Sequence, residues 1–272
     1  MSSKNAKSGR SSSRPIARRD FLVSSVAAAG TIAGVAGKAK AADAKAEKAD
    51  EAPKGMAVGI NLEYVRHADK SLEYGVKTAG KMGYKYVEPC FLMGQCLISI
   101  GKYCHVTSFD TDPSKIRDLC AQAGVKISAL SSHADLLDPE FGVAYPRRGI
   151  RYAREVGTNV VQITENMYPA KWVDEKTAYE IMGVNLRAIS ETCEENGVYL
   201  GVEQHGPYTS KIKHMTRLLE LVDSPWIRCN FDCGNTFLSG EDPYEMLEAV
   251  IDKVVHVHAK DISVKQADAE RG

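Results

Sequence analysis

At 272 residues the chain has the size of one (β/α)8 barrel or of two smaller domains. Hydrophobic residues at 44% and charged residues at 26% exclude wholesale disorder. The 35 basic and 35 acidic residues cancel, but unevenly: residues 1–41 carry +7 and residues 42–272 carry −7, and an acidic body opposes binding to a phosphate backbone.

Residues 1–41 read as a targeting segment. A Ser-rich, basic stretch leads into Arg18-Arg19-Asp20-Phe21-Leu22, followed by an apolar run to Ala36 and by Ala39-Lys40-Ala41. The apolar run has 16 residues, fewer than the ~20 of a membrane span, so no stable membrane anchor is expected. Paired arginines before Phe-Leu resemble the twin-arginine export signal. That resemblance implies the twin-arginine export machinery as a partner, cleavage near Ala41–Ala42 and a periplasmic protein. Residues 42–54 are low in complexity and charged, which fits a flexible linker ahead of a domain over 55–272.

Seven cysteines (90, 96, 104, 120, 193, 229 and 233) are an odd count, and no CxxC pair is present. A disulfide framework and a ribbon-type structural zinc site are therefore not expected, although one pair among Cys90, Cys96 and Cys104 is close enough in sequence to bridge.

From residue 57 short apolar runs alternate with amphipathic ones. The pattern predicts strands over 57–62, 84–88, 125–130, 159–164, 198–203, 227–232 and 254–259. Helices are predicted over 68–82, 113–123, 145–156, 174–196, 210–222 and 243–251, with Gly83, Gly124, Gly157 and Gly197 as stops. Residues 91–112 read as one long connection. Regular βα alternation implies a parallel sheet covered by helices. No GxGxxG or GxxxxGK[ST] follows the first strand, which disfavours an open nucleotide-binding sheet. An α/β TIM barrel is expected, and the count stops at seven strands, as if the chain were truncated before an eighth.

Polar residues recur at the strand ends, where a barrel gathers its active site: Glu88, His133, Glu165, Glu203, Asp232 and His258. Two carboxylates and an imidazole at consecutive strand ends suit a divalent ion such as Mn²⁺, Co²⁺, Mg²⁺ or Zn²⁺. Strand alternation puts Glu203 and His205 on one side of their strand, and His256 and His258 on one side of theirs. His256 is read as packing or orienting the site, and Glu88 and Glu165 as residues at its rim or behind the groups that touch ion or substrate. Trp172 is read equally as a pocket wall or as a loop covering apolar surface.

The motif order Val202-Glu203-Gln204-His205-Gly206, Phe231-Asp232-Cys233-Gly234-Asn235 and His256-Val257-His258-Ala259-Lys260-Asp261 resembles the xylose-isomerase-like TIM barrels over 57–263. The resemblance implies a metal held by Glu203, Asp232 and His258, with a further Glu from an eighth strand that this chain does not contain. It also implies Glu203 as the base removing a proton α to a carbonyl, through an enediolate. His205, Lys260, His133 and Asn235 are the expected substrate contacts. A metal-dependent isomerase or epimerase of a sugar or related polyol follows, acting on a small-molecule carbohydrate, with homo-oligomerisation open. Alternatives are a keto-sugar or keto-inositol dehydratase of the same superfamily, or a non-catalytic carbohydrate-binding barrel. A related apurinic endonuclease is disfavoured, since Asn235 stands where that enzyme needs a His.

Overall fold

A computed structural model describes residues 57–62, 71–92, 106–165 and 171–262. The proposed leader and linker, His67, His105, Cys96, Cys104 and the C-terminal tail lie outside them. In chain order the elements are β1 (Gly59–Asn61), α1 (Leu72–Lys81), β2 (Tyr86–Glu88), β3 (Cys90–Leu92), β4 (Val106–Ser108) and α2 (Pro113–Ala123). Next come β5 (Lys126–Ile127), β6 (Leu130–Ser131), α3 (Ala144–Val156), β7 (Val160–Thr164), α4 (Glu175–Asn196) and β8 (Tyr199–Glu203). The chain continues through α5 (Ile212–Leu219), β9 (Ile227–Asp232), α6 (Cys233–Leu238), α7 (Pro243–Val250) and β10 (Val254–His258).

Every strand pairing is parallel, in the orders β1-β2-β5 and β10-β9-β8-β7-β6-β3-β4. Parallel neighbours need crossovers, and from β4 onward the described helices supply most of them. This is the α/β barrel that the strand–helix alternation predicts. Two staves are broken. Pro89 cannot donate to the ladder and separates β2 from β3, although its carbonyl still accepts from Ser131 N at 3.0 Å. Residues 128–129 divide β5 from β6. Counting each broken pair once, the described residues supply seven consecutive staves, with β4 paired to β3 on the edge opposite β6. The stretch read as one connection, 91–112, therefore contributes strand at both its ends.

The helix boundaries follow from capping. Ser71 caps α1, accepting from Tyr74 N at 3.3 Å. Asp112, Asp174 and Asp242 cap α2, α4 and α7 at 2.7–2.9 Å. Gly124, Gly157 and Gly197 take φ of +65° to +91°, the left-handed stop that a side chain would strain. No helix among the described residues is long and apolar enough to cross a membrane.

Packing fixes the layer between the strands and the helices. Val161, Ile163, Leu200, Val202 and Cys229 have no exposed surface, and Phe231 almost none. Against β3, the rings of Phe91, Phe109, Tyr145 and Tyr152 meet with centroids 4.9–5.7 Å apart. The two tyrosine hydroxyls donate to the carbonyls of Phe91 and Thr111 at 2.9 Å. This cluster anchors the early staves, while the polar strand ends of β2, β8, β9 and β10 face one another.

Candidate metal centre

Register brings the three predicted ligands together. Asn230 lies opposite Glu203 across β8 and β9. On the next stave, a bulge between Val254 and His256 shifts the pairing so that His256 faces Asn230 and His258 faces Asp232. Because directly paired residues share a face, the bulge sets both imidazoles on the side that carries Asp232. His258 Nδ1 is 3.4 Å from Glu203 Oε1 and 3.8 Å from Asp232 Oδ2.

The two oxygens of Asp232 do different things. Oδ1 accepts from Asn235 N at 2.7 Å, capping the short helix α6 that strand-period reasoning overlooks. Oδ2 is buried and makes no hydrogen bond. Buried carboxylate oxygens are normally bonded, so this one is an observation to be explained. Burial, with the Glu203 carboxylate beside it, lifts the Asp232 pKa to about 7.

Glu203 is held by amides. Its Oε1 accepts from Asn235 Nδ2 at 2.8 Å, and its Oε2 from Gln162 Nε2 and from Asn230 Nδ2, the latter at 3.5 Å. Gln162 accepts in turn from Ser131 Oγ at 2.9 Å. Gln204 accepts from Asp232 N at 2.9 Å, tying β8 to β9 just below the carboxylates. Lys260 Nζ donates to Asn235 Oδ1 at 2.8 Å, and its stem lies where a Cβ on Gly234 would come within 2.7–2.8 Å. Gly234 therefore leaves room for Lys260.

On the other edge of the His258 ring, Nε2 meets both oxygens of Glu88 at 2.9 and 3.1 Å. Burial works against the Glu88 carboxylate, yet His258 and His256 outweigh it and hold its pKa below the ordinary value. Against its own burial, His258 is held well above the usual imidazole range by Glu88 and Glu203. His256 is lowered by burial, and its Nδ1–H donates to Asn230 Oδ1 at 3.0 Å.

Among the described residues, two sets of three ligands lie close enough to share an ion: Glu203, Asp232 and His258, and Glu88, His256 and His258. The first has two carboxylates, one imidazole nitrogen and the unbonded Asp232 Oδ2, a donor set that fits a divalent cation of intermediate hardness. The predicted substrate contacts fall nearby but not at one point. Asn235 and Lys260 touch the Glu203 side. His205 is exposed past the end of β8 and, with Ser210, Asn235, Leu238 and Ser239, lines a cavity of about 310 Å³. His133 is half-buried, and its charge bears on Glu88.

Glu165 is no rim residue. Fully buried, it accepts from Gly206 N, Tyr208 N and Thr209 Oγ1 at 3.3, 2.8 and 2.8 Å, fixing the loop between β8 and α5. Trp172 is 64% exposed and walls nothing among the described residues. Gln162 and Asn230 were not singled out in the sequence. Their signal was available, since each interrupts an apolar strand run and so must find partners inside.

A family model described as xylose isomerase-like TIM barrel matches residues 76–271. An inosose dehydratase of Clostridium perfringens (strain 13 / Type A) is 27% identical over 108 residues, covering 39% of this chain and 36% of that protein. An inosose dehydratase of Geobacillus kaustophilus (strain HTA426) is 26% identical over 172 residues, covering 57% of this chain and 55% of that protein. The chain thus spans between about a third and a half of the length of these curated relatives. Among solved structures, a D-tagatose 3-epimerase-like protein superposes with a TM-score of 0.61 at 17% identity, covering 76% of both chains. The probable 3-DHS dehydratase AsbF of Bacillus anthracis gives 0.61 at 20% identity, covering 78% of this chain and 75% of its own. A xylose isomerase-like TIM barrel protein from Mycobacterium smegmatis in complex with magnesium gives 0.59 at 17% identity and 78% coverage of each. At these identities the structures speak for the fold.

Proposed function

This chain belongs to the xylose isomerase-like TIM barrel family, and from that premise we propose that it is a metal-dependent isomerase or epimerase of a sugar or related polyol. The observation that carries the proposal is the buried, unbonded Asp232 Oδ2, aimed at the space it shares with Glu203 and His258. Those three residues would hold the ion. When bound, a divalent cation there supplies Lewis acidity toward a carbonyl and its neighbouring hydroxyl.

Glu203 is the base that removes the proton α to the carbonyl. Its carboxylate is oriented from behind by Gln162 and Asn230 and from the side by Asn235, so the attack direction is fixed before substrate arrives. The Lys260 ammonium and Asn235 are placed to hold a substrate oxygen. The adjoining cavity offers His205, Ser210 and Ser239 to further hydroxyls, with one wall from Leu238. A polar cavity of this kind suits a polyol better than an apolar ligand.

A second reading is favoured by the relatives named inosose dehydratase. In a dehydratase the same proton leaves, and the hydroxyl on the next carbon then departs as water. One experiment separates the two. Incubation with Mn²⁺ in D₂O with a panel of ketoses and keto-inositols is followed by NMR. Deuterium at the carbon beside the carbonyl, with an epimer or isomer as product, is expected for the first reading. Loss of water is expected for the second. No exchange on any compound would sink both, and Glu203→Gln should abolish exchange in either case.

Export belongs to the same proposal: a twin-arginine leader removed near Ala41–Ala42, leaving a periplasmic enzyme. Replacing Arg18 and Arg19 by Lys should block processing, and N-terminal sequencing of the exported protein should begin at Ala42. Unchanged processing of the Lys-Lys variant would refute the route.

A further inference from the structure

Resting on the metal reading above, we propose that Glu88 is a positioning residue for the ion. It fixes the His258 ring with a proton on Nε2, and so presents Nδ1 as the ligand atom. A carboxylate has only lone pairs to offer, so contacts of 2.9 and 3.1 Å from Nε2 to Glu88 require hydrogen on Nε2. The opposite ring nitrogen faces Glu203 and Asp232, and a neutral imidazole carries one proton only. With the Nε2 proton held by Glu88, an ion can take the place of hydrogen only at Nδ1, on the side where the two carboxylates converge. A buried carboxylate behind a ligating histidine also makes the imidazole a stronger donor.

The neighbouring imidazole supports this arrangement. Asn230 Nδ2 points toward Glu203, so its Oδ1 is left to accept from His256 Nδ1–H. His256 then stands edge-on to His258, with centroids 5.5 Å apart and planes at 87°, restricting swing of the ring. Its Nε2 is 3.8 Å from Glu88, beyond hydrogen-bond reach. An ion held instead by Glu88, His256 and His258 would need His258 Nε2 bare and would have one carboxylate where the other set has two. The Glu203 set is therefore the better cation site, and Glu88 stands behind it.

The test is Co²⁺ binding by the full chain, followed by calorimetry and by the visible spectrum, in the wild type, Glu88→Gln and Glu88→Ala. The wild type is expected to take one Co²⁺. Glu88→Gln keeps an acceptor but loses the charge and should weaken binding about tenfold, and Glu88→Ala about 100-fold, both with a shifted visible band. With Zn²⁺ bound, the ¹⁵N spectrum of the wild type should show His258 protonated at Nε2. Unaltered affinity and spectrum in folded Glu88→Gln would overturn the proposal even if the Ala variant does not fold. Two Co²⁺ per wild-type chain, falling to one in Glu88→Gln, would make Glu88 a ligand and overturn it as well. Absence of Co²⁺ binding by the wild type would overturn the metal reading itself, whereas binding that ignores Glu88 overturns this inference alone.

Discussion

Asparagine at position 232 would keep an oxygen able to accept the Asn235 N–H that starts α6, while removing the negatively charged oxygen that faces Glu203. Asn and Asp cap helices about equally well, so the two roles of the side chain separate. Without added metal, Asp232→Asn should unfold at the same temperature as the wild type or slightly higher, because a buried repulsion with Glu203 is relieved. With Mn²⁺ the wild type should gain thermal stability and the variant should not, a contrast that scanning calorimetry reads directly. Gly234→Ala makes a different cut. A Cβ there meets the Lys260 stem at 2.7–2.8 Å, so the ammonium leaves Asn235. Metal affinity should hold within about twofold while KM rises about tenfold, a loss of roughly 1.4 kcal/mol in substrate binding. At this scale Glu203, Asp232 and His258 could be read from the sequence because each closes an apolar run. Glu88 closes one too, but its partner is 170 residues away, and pattern reading does not reach that far.

The elements were legible where local chemistry decides them and obscure where distant partners do. Helix α4 announces both its ends, with Asp174 capping the start and Gly197 at φ +65° closing it. Helix α6 announces neither: six residues are too few for a period, and its cap, Asp232, reads as the end of a strand. The broken stave β5–β6 reads as a single strand because apolar alternation continues through the break, whereas β3, beyond Pro89, falls in the stretch that reads as a connection. The loop from Gly206 to Thr209 looks generic in sequence and is in fact pinned by Glu165. Glu165→Ala would leave two buried N–H groups and a hydroxyl without their acceptor, at a cost of about 3 kcal/mol. Urea unfolding should show that loss. Proteolysis should then begin between residues 205 and 210, and a variant as stable as the wild type would remove Glu165 from the scaffold.

Among the described residues, four buried groups away from the centre add a pH sensitivity at the alkaline end. Burial pushes the thiols of Cys120 and Cys193 from an ordinary 9 to about 11 and about 12. It pushes the phenols of Tyr152 and Tyr179 from 10 to about 12. In each case the folded protein keeps a proton that the unfolded chain releases. Their contribution to stability is therefore complete below about pH 9 and is lost as pH rises toward 12. Chemical unfolding measured from pH 8 to 11.5 should show flat stability followed by a steep fall. A flat profile throughout would mean that these groups are solvated. The same burial predicts that Cys193 and Cys229 resist alkylation at pH 8 until the chain unfolds. Fold class was legible at this scale because seven apolar runs repeat in phase. Cysteine burial was not, because a thiol in an apolar run looks the same whether it faces the core or a helix.

Glu88 and His258 meet across 170 residues, and that separation governs the order of events in time. Joining points so far apart costs about 4–5 kcal/mol of chain entropy, which neighbouring staves never face. Pairings such as β7 with β8 close earlier, and contacts between distant parts of the chain form slowly. During synthesis Glu88 emerges long before its partner, so the centre is assembled last, on a sheet already made. Refolding from urea with Co²⁺ present should recover far-UV ellipticity before the visible band of the bound ion. Simultaneous recovery would show that the two ends find each other early. For a chain that crosses a membrane folded, as the leader proposal has it, this late step sets the compartment of loading: the ion enters where the protein is made, before the crossing.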